Sequence, residues 1–184
     1  MGNHLIRRYN LSSGFTTTIA GGTSIGYLDN SGLFARFNYP IGVTMDPAGT
    51  FAIVADSWNH LIRKCILSSG IVTTVAGNTS GIVGSDNMGY SDGTGTAATF
   101  NYPRGVAMNS AVTFVLIADR DNHLVRRLDL TTKLVTTLTG SLAGTIGSTN
   151  KGYSDGLGTA AAFQGPRSVA IATGGSFAII VSGD

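Results

Sequence analysis

The sequence predicts an all-β fold assembled from repeated units, and three observations support this prediction. A hexapeptide that reads Asn-His-Leu, an apolar residue and two cations occurs at residues 3–8, 59–64 and 122–127. A second motif, Phe followed three residues later by Pro, recurs in step with it at 37–40, 100–103 and 163–166. The chain is 42% hydrophobic and 12% charged, with 26 glycines, which is typical of a packed chain with many turns. Such units are expected to stack and share a core.

Each unit contains four strand-like runs. The first begins inside the hexapeptide and ends at a polar turn, and the second is rich in threonine and β-branched residues, so the two should form a hairpin. A glycine-rich connection with a Tyr-x-Asp motif follows. The third run has small side chains suited to a crowded axis, and the fourth is continuously apolar, as in a strand covered on both faces. In chain order the runs are 5–11, 15–20, 42–45, 51–55, 61–67, 71–76, 105–108, 114–118, 124–130, 134–139, 168–171 and 177–181.

Four short strands per unit, without a helical period, are the layout of a β-propeller blade. Residues 40–63 contain Pro-x-Gly-Val-x-Met-Asp and then Ile-Val-Ala-Asp-Ser-x-Asn-His-Leu-Ile-Arg. This order resembles the NHL repeat family, which forms β-propellers, and the resemblance covers essentially the whole chain in three copies. The third copy departs from the pattern, because Ser182, Gly183 and Asp184 stand where the earlier copies have Asp-Ser-Trp and Asp-Arg-Asp.

The resemblance implies where the blades begin. In this family the strand after the proline is innermost, so the chain starts with the third and fourth strands of one blade and ends with the first and second strands of another. We therefore expect a single repeat domain over residues 1–184, with units 3–58, 59–121 and 122–184, three blade-equivalents and a half-blade at each terminus. Two chains arranged head to tail would close a six-bladed ring by pairing 168–184 with 3–20 of the other chain. The alternative is that the remaining blades belong to a longer chain.

The repeated Asn-His pairs are predicted to be structural rather than metal-binding. Three histidines could hold zinc in principle, but equivalent positions in different blades lie far apart in a ring. We expect the histidines, together with the aspartates that follow the continuous apolar run, to satisfy backbone groups in turns. The set is Asn3, His4, Asn59, His60, Asn122, His123, Asp56 and Asp119. No metal ion or cofactor is predicted.

The candidate binding residues are Arg104, Arg167, Tyr39 and Tyr102. The arginines follow the repeated proline, so we expect them at the mouth of the central channel, on the broad loop face. A structural role, in which they cap or pair with neighbouring loops, is favoured over binding. Cations among aromatic rings are the parts that single-stranded RNA sites use, and the resemblance points the same way, since some NHL propellers bind RNA through a basic face. A net charge of +2 gives little support for nucleic acid or membrane as a partner.

Two further repeated features have structural interpretations. The aspartates of the Tyr-x-Asp motif, Asp29, Asp92 and Asp155, are expected to form turns. A calcium site is the alternative, weakened by the lack of further oxygen ligands nearby. The two cations of each hexapeptide point to opposite faces of a strand, so one should be solvated and the other should pack its stem between blades.

The sequence contains no Gly-x-Ser-x-Gly, phosphate-binding loop or repeated His-Glu motif. It therefore predicts a non-enzymatic scaffold for protein–protein interaction or self-assembly, with a second copy of the chain or another protein as its partner. An RNA-binding propeller is the first alternative, and a metal-dependent enzyme similar to the family's peptide-amidating lyase is the second. A complete chain would be cytoplasmic, whereas a fragment could be extracellular, with glycosylation sequons at Asn10 and Asn78.

Overall fold

The computed structural model describes residues 3–80 and 87–183, which fold into antiparallel β-sheets. Short 3-10 turns lie between some of the strands, at Gly32–Phe34, Ser57–Asn59, Gly95–Ala97, Arg120–Asn122 and Gly158–Ala160. The strands are β1 (Ile6–Tyr9), β2 (Thr16–Ala20), β3 (Pro40–Met45), β4 (Phe51–Asp56), β5 (Leu61–Ile66), β6 (Val72–Ala76), β7 (Gly93–Thr94), β8 (Pro103–Met108), β9 (Phe114–Asp119), β10 (Leu124–Asp129), β11 (Leu134–Thr139), β12 (Pro166–Ile171) and β13 (Ala178–Ser182).

The strand order confirms the predicted blades. Strands β3-β4-β5-β6 form one four-stranded meander, and β8-β9-β10-β11 form a second, to whose outer edge the two-residue β7 adds. Strands β1-β2 and β12-β13 form separate two-stranded sheets. We name these sheets, in chain order, the N-terminal half-blade (β1-β2), the first blade (β3–β6), the second blade (β7–β11) and the C-terminal half-blade (β12-β13). The fold is all-β and propeller-like, as expected, with a two-stranded sheet at each end of the described residues.

The core lies between neighbouring blades. Ile53 and Ile62 of the first blade pack with Phe100, Val106 and Leu128 of the second, and all five side chains are buried. A second cluster joins the N-terminal half-blade to the first blade through residues such as Ala20, Phe37 and Cys65. Because alternate residues of a strand point to opposite faces, each central strand contributes apolar side chains to the blades on both sides.

Glycine allows the innermost strands of adjacent blades to approach closely. A Cβ atom on Gly42 would lie 1.9 Å from the carbonyl oxygen of Arg104, and one on Gly105 would lie 2.6 Å from the Cα of Ser168. Both distances are shorter than any real contact, so the spacing of β3, β8 and β12 requires the absence of a side chain at these positions. Across residues 3–80 and 87–183, no helix has the length and apolar character needed to cross a membrane.

We predict that Gly42→Ala lowers the free energy of unfolding by about 1–3 kcal/mol, because the added methyl group forces two backbones apart. Urea denaturation followed by circular dichroism measures the change. Gly174→Ala is the matched control, since no atom lies within 4 Å of a Cβ at that position. Equal unfolding midpoints for the two variants would contradict the prediction, because they would show that β3 and β8 can move apart without loss of stability.

Candidate functional site

A completely buried arginine lies at the centre of the first blade. Arg63, on β5, donates from Nη1 to Asp56 Oδ2 at 2.7 Å and from Nη2 to Asp29 Oδ1 at 2.5 Å. The same two nitrogens donate to the backbone carbonyls of Arg36 and Leu28, at 3.2 and 3.1 Å. The guanidinium is thus held by two carboxylates and two carbonyls, as a buried cation requires.

The second blade repeats this arrangement. Arg126 donates to Asp119 Oδ2 at 2.9 Å and to Asp92 Oδ1 at 2.7 Å, and also to the carbonyls of Ser91 and Thr99 at 3.0 and 3.1 Å. Its guanidinium lies over the Phe100 ring, 5.4 Å from the centroid, as that of Arg63 does over its own phenylalanine. We call these surrounding groups the arginine socket.

The Tyr-x-Asp aspartate also binds the fourth strand of its blade. Asp29 accepts the Thr74 N–H at 2.8 Å and the Thr74 hydroxyl at 3.2 Å. Asp92 accepts the same pair of bonds from Thr137, both at 3.0 Å. The expectation that these aspartates form turns was therefore wrong for Asp29 and Asp92. They lie on the loop that crosses the blade, where a carboxylate meets the buried guanidinium and a strand N–H together.

The two cations of the hexapeptide have different surroundings. In both complete blades the first cation is the buried arginine, whose charge is paired inside the blade. The second, Lys64 or Arg127, is partly exposed and lies over a phenylalanine ring of the adjacent strand, at 4.1 Å from Phe51 and 4.7 Å from Phe114. The sequence separated the two faces but did not indicate that the inward cation would be an ion-paired centre.

The aspartates of the second strand are buried together with their arginines. Burial raises the pKa of Asp56 to about 6, and the attraction of Arg63 acts in the opposite direction. Burial likewise raises the pKa of Asp119 to about 6 against the pull of Arg126. Both carboxyls are therefore ionised at neutral pH, where each forms an ion pair with its arginine.

The Asn-His pairs lie at the seams between blades. The imidazole Nδ1 of His4, His60 and His123 accepts a backbone N–H of the following blade, from Tyr39, Tyr102 and Gly165, in each case at 3.0 Å. All three histidines have left-handed backbone angles, with φ between 48° and 58°. No group of three or more potential ligands that could hold a metal ion occurs in the part of the chain that the structure describes.

The asparagines support the same corner. Asn59 Nδ2 donates to Asp56 Oδ2 and to the Gly26 carbonyl, both at 2.8 Å. Asn122 makes the equivalent bonds to Asp119 and Gly89, while Asn3 is exposed. The motif thus ties the third strand to the second strand, to the glycine-rich connection and, through histidine, to the next blade.

The candidate binding residues lie at one end of the blades. Tyr39 and Tyr102 precede the inner strands, and Trp58, in the turn between β4 and β5, lies between their rings at 4.8 and 5.7 Å. Arg104, partly buried, and Arg167, exposed, are second residues of neighbouring inner strands. Sequence reasoning missed Trp58, because aspartate stands at its position in the second copy and no repeat signal marks it.

Four-stranded antiparallel meanders that share a core across glycine-lined inner strands define a β-propeller repeat chain. No protein-family model matches the chain. NHL repeat-containing protein 2 is 36% identical over 142 residues in Gallus gallus and 33% identical over 139 residues in Bos taurus. These matches include 72% and 71% of this chain and 18% of each relative, so the chain spans about a fifth of the relatives' length.

Solved structures agree on the fold. A structural genomics protein of unknown function from Bacteroides thetaiotaomicron superposes with a TM-score of 0.73 at 19% identity, over 98% of this chain and 40% of the other. An auxiliary nutrient binding protein from the same organism gives 0.67 at 20% identity, over 97% and 40%. The sequence likeness and the shared architecture together place this chain in the NHL-repeat β-propeller family.

We predict that Asp119→Ala destabilises the protein by about 3–5 kcal/mol, because it leaves a buried arginine without its buried carboxylate. Asp92→Ala, at the half-exposed carboxylate of the same socket, is the matched comparison and should cost less. Guanidinium chloride unfolding of both variants gives the two values. A larger loss for Asp92→Ala would mean that the exposed carboxylate is the main partner of Arg126.

Proposed function

We propose that the chain is a non-enzymatic NHL-type scaffold that assembles by pairing its half-blades head to tail. Residues 3–80 and 87–183 of each chain contain two complete blades and two half-blades. Two copies would therefore give four complete and two composite blades, which lies within the range at which propellers close. The N-terminal half-blade of each copy would pair with the C-terminal half-blade of the other, and a two-fold rotation relates the two contacts, so the assembly closes as a ring rather than extending as a filament.

The main support for this assembly is that apolar side chains at the two ends are exposed, although the equivalent side chains in other repeats are buried. Val106 and Val169 are 8% and 6% exposed, because the preceding blade covers them, whereas the equivalent Val43 is 60% exposed. At the other end, Ile179 is 60% exposed, and its equivalents Ile53 and Leu116 are at most 4% exposed. The two ends therefore present the two halves of the interface that complete blades form with each other.

The backbone edges complement each other in the same way. In the complete blades the second and third strands pair in one register, with Asp56 opposite Leu61 and Asp119 opposite Leu124. Carried over to a composite blade, this register pairs Ser182 on β13 with Leu5 of the second copy. This pairing would provide hydrogen-bond partners for the backbone N–H and C=O groups on the open edges of both half-blades.

We predict a mass of twice the 18.9 kDa chain mass in size-exclusion chromatography with light scattering at micromolar concentration. Ile179→Asp should give the monomer, because it places a charge where an apolar face must be covered. Phe34→Asp is the control, since Phe34 and its repeat equivalents Ala97 and Ala160 are all exposed. A wild-type monomer at every concentration would contradict the assembly.

One observation favours a second function, the binding of single-stranded nucleic acid. The rings of His4, Tyr39, Trp58, Tyr102 and His60 form a continuous ladder, with neighbouring centroids 4.6 to 5.7 Å apart. Tyr39 and Trp58 are 44% and 46% exposed, so bases could stack on them. The cations of Arg104 and Arg167 lie at the same end of the blades.

Binding of a uridine-rich RNA oligonucleotide to this ladder should quench the fluorescence of Trp58, the one tryptophan of the chain. Affinity should fall as salt rises, since phosphate contacts release counterions, and should fall further in the double variant Arg104→Ala/Arg167→Ala. Fluorescence that is unchanged at low salt would exclude this ladder as a nucleic acid site.

A further inference from the structure

A third arginine socket lies in the C-terminal half-blade, and no arginine among the described residues occupies it. We infer that this socket is a guanidinium-binding site and that its occupant is Arg7 of a second copy. The inference rests on the proposed assembly, in which it assigns one ion pair between the two copies.

The socket is a cavity of about 480 Å³. Six of its lining residues occupy the repeat positions that surround Arg63 in the first blade, where two aspartates, two backbone carbonyls and two aromatic rings contact the guanidinium. The third-copy equivalents that line the cavity are Tyr153, Ser154, Asp155, Ala162, Phe163 and Ser182. The cavity therefore offers the groups that bind a buried arginine in the complete blades, except that Ser182 replaces the buried aspartate.

The charge of the socket favours a single cation. Asp155 is exposed and makes no hydrogen bond or ion pair with any other residue in the described ranges, whereas Asp29 and Asp92 each bind an arginine. Ser182 stands where the complete blades have the second, buried aspartate. The Asp155 carboxylate would balance the charge of a single guanidinium, and the Ser182 hydroxyl could accept a hydrogen bond from it. Filling this socket would remove water from one carboxylate, whereas a complete blade buries two beside its arginine.

Arg7 has the position that this socket requires. It is the equivalent of Arg63 and Arg126 in the first hexapeptide, it is exposed, and it has no ion pair within residues 3–80 and 87–183. It lies opposite Thr18 on the neighbouring strand, as Arg63 lies opposite Thr74. The N-terminal hairpin thus presents both groups that bind the Tyr-x-Asp carboxylate in a complete blade.

The pairing can be tested in the intact chain by measuring the dimer dissociation constant with analytical ultracentrifugation. Arg7→Ala and Asp155→Asn should each weaken the dimer at least tenfold, since each leaves its partner buried and unpaired. The dimer of the double variant should dissociate little more readily than the dimer of either single variant, because both substitutions remove the same contact. Arg8→Ala is the control, because the equivalent Lys64 and Arg127 lie outside the socket, over phenylalanine rings.

Each outcome has a distinct meaning. Both residues are exposed in the single chain, so circular dichroism should show unchanged folding of the variants. If the wild type dimerises and Arg7→Ala behaves like Arg8→Ala, the socket assignment is overturned while the assembly stands. If Asp155→Asn alone weakens the dimer, a cation other than Arg7 occupies the socket. A wild-type monomer overturns the assembly and this occupant together.

Discussion

The buried arginine is the interaction on which the blade depends. One guanidinium on the third strand binds a carboxylate from the second strand, a carboxylate from the preceding connection and two carbonyls, and so joins groups up to 35 residues apart. A buried cation is stable only when its partners are all present. The arginine and its ligands therefore stabilise a blade only when all of its strands are present. In the described chain, each half-blade contains either the arginine or the positions of its ligands.

Contacts between blades repeat as regularly as those within them. A histidine accepts an N–H from the next blade, glycine lets the inner strands approach, and apolar side chains fill the space between sheets. In such an array each unit contacts only its neighbours. The surface at either end of the described chain is consequently the kind of surface that a neighbouring blade covers elsewhere in the array.

The copies differ at a few positions, and these differences give the molecule its individual surfaces. Trp58 extends a ring ladder across the first seam, where the second copy has Asp121. Ser182 replaces the buried aspartate in the third socket, so a composite blade would have one carboxylate fewer than a complete one. The repeated residues determine the fold, and the substitutions at single repeat positions determine where charged and aromatic side chains lie on the surface.

The sequence by itself determined the repeat and the strand order, because hydrophobic pattern and motif spacing are local properties that can be read along the chain. Only the tertiary structure decided the roles of Asp29 and Arg63. A turn aspartate and an arginine ligand give the same local signal, and the two residues are 34 positions apart. Likewise Val43 and Val106 belong to equivalent sequence positions, yet one is exposed and the other buried, because burial depends on which blade lies alongside.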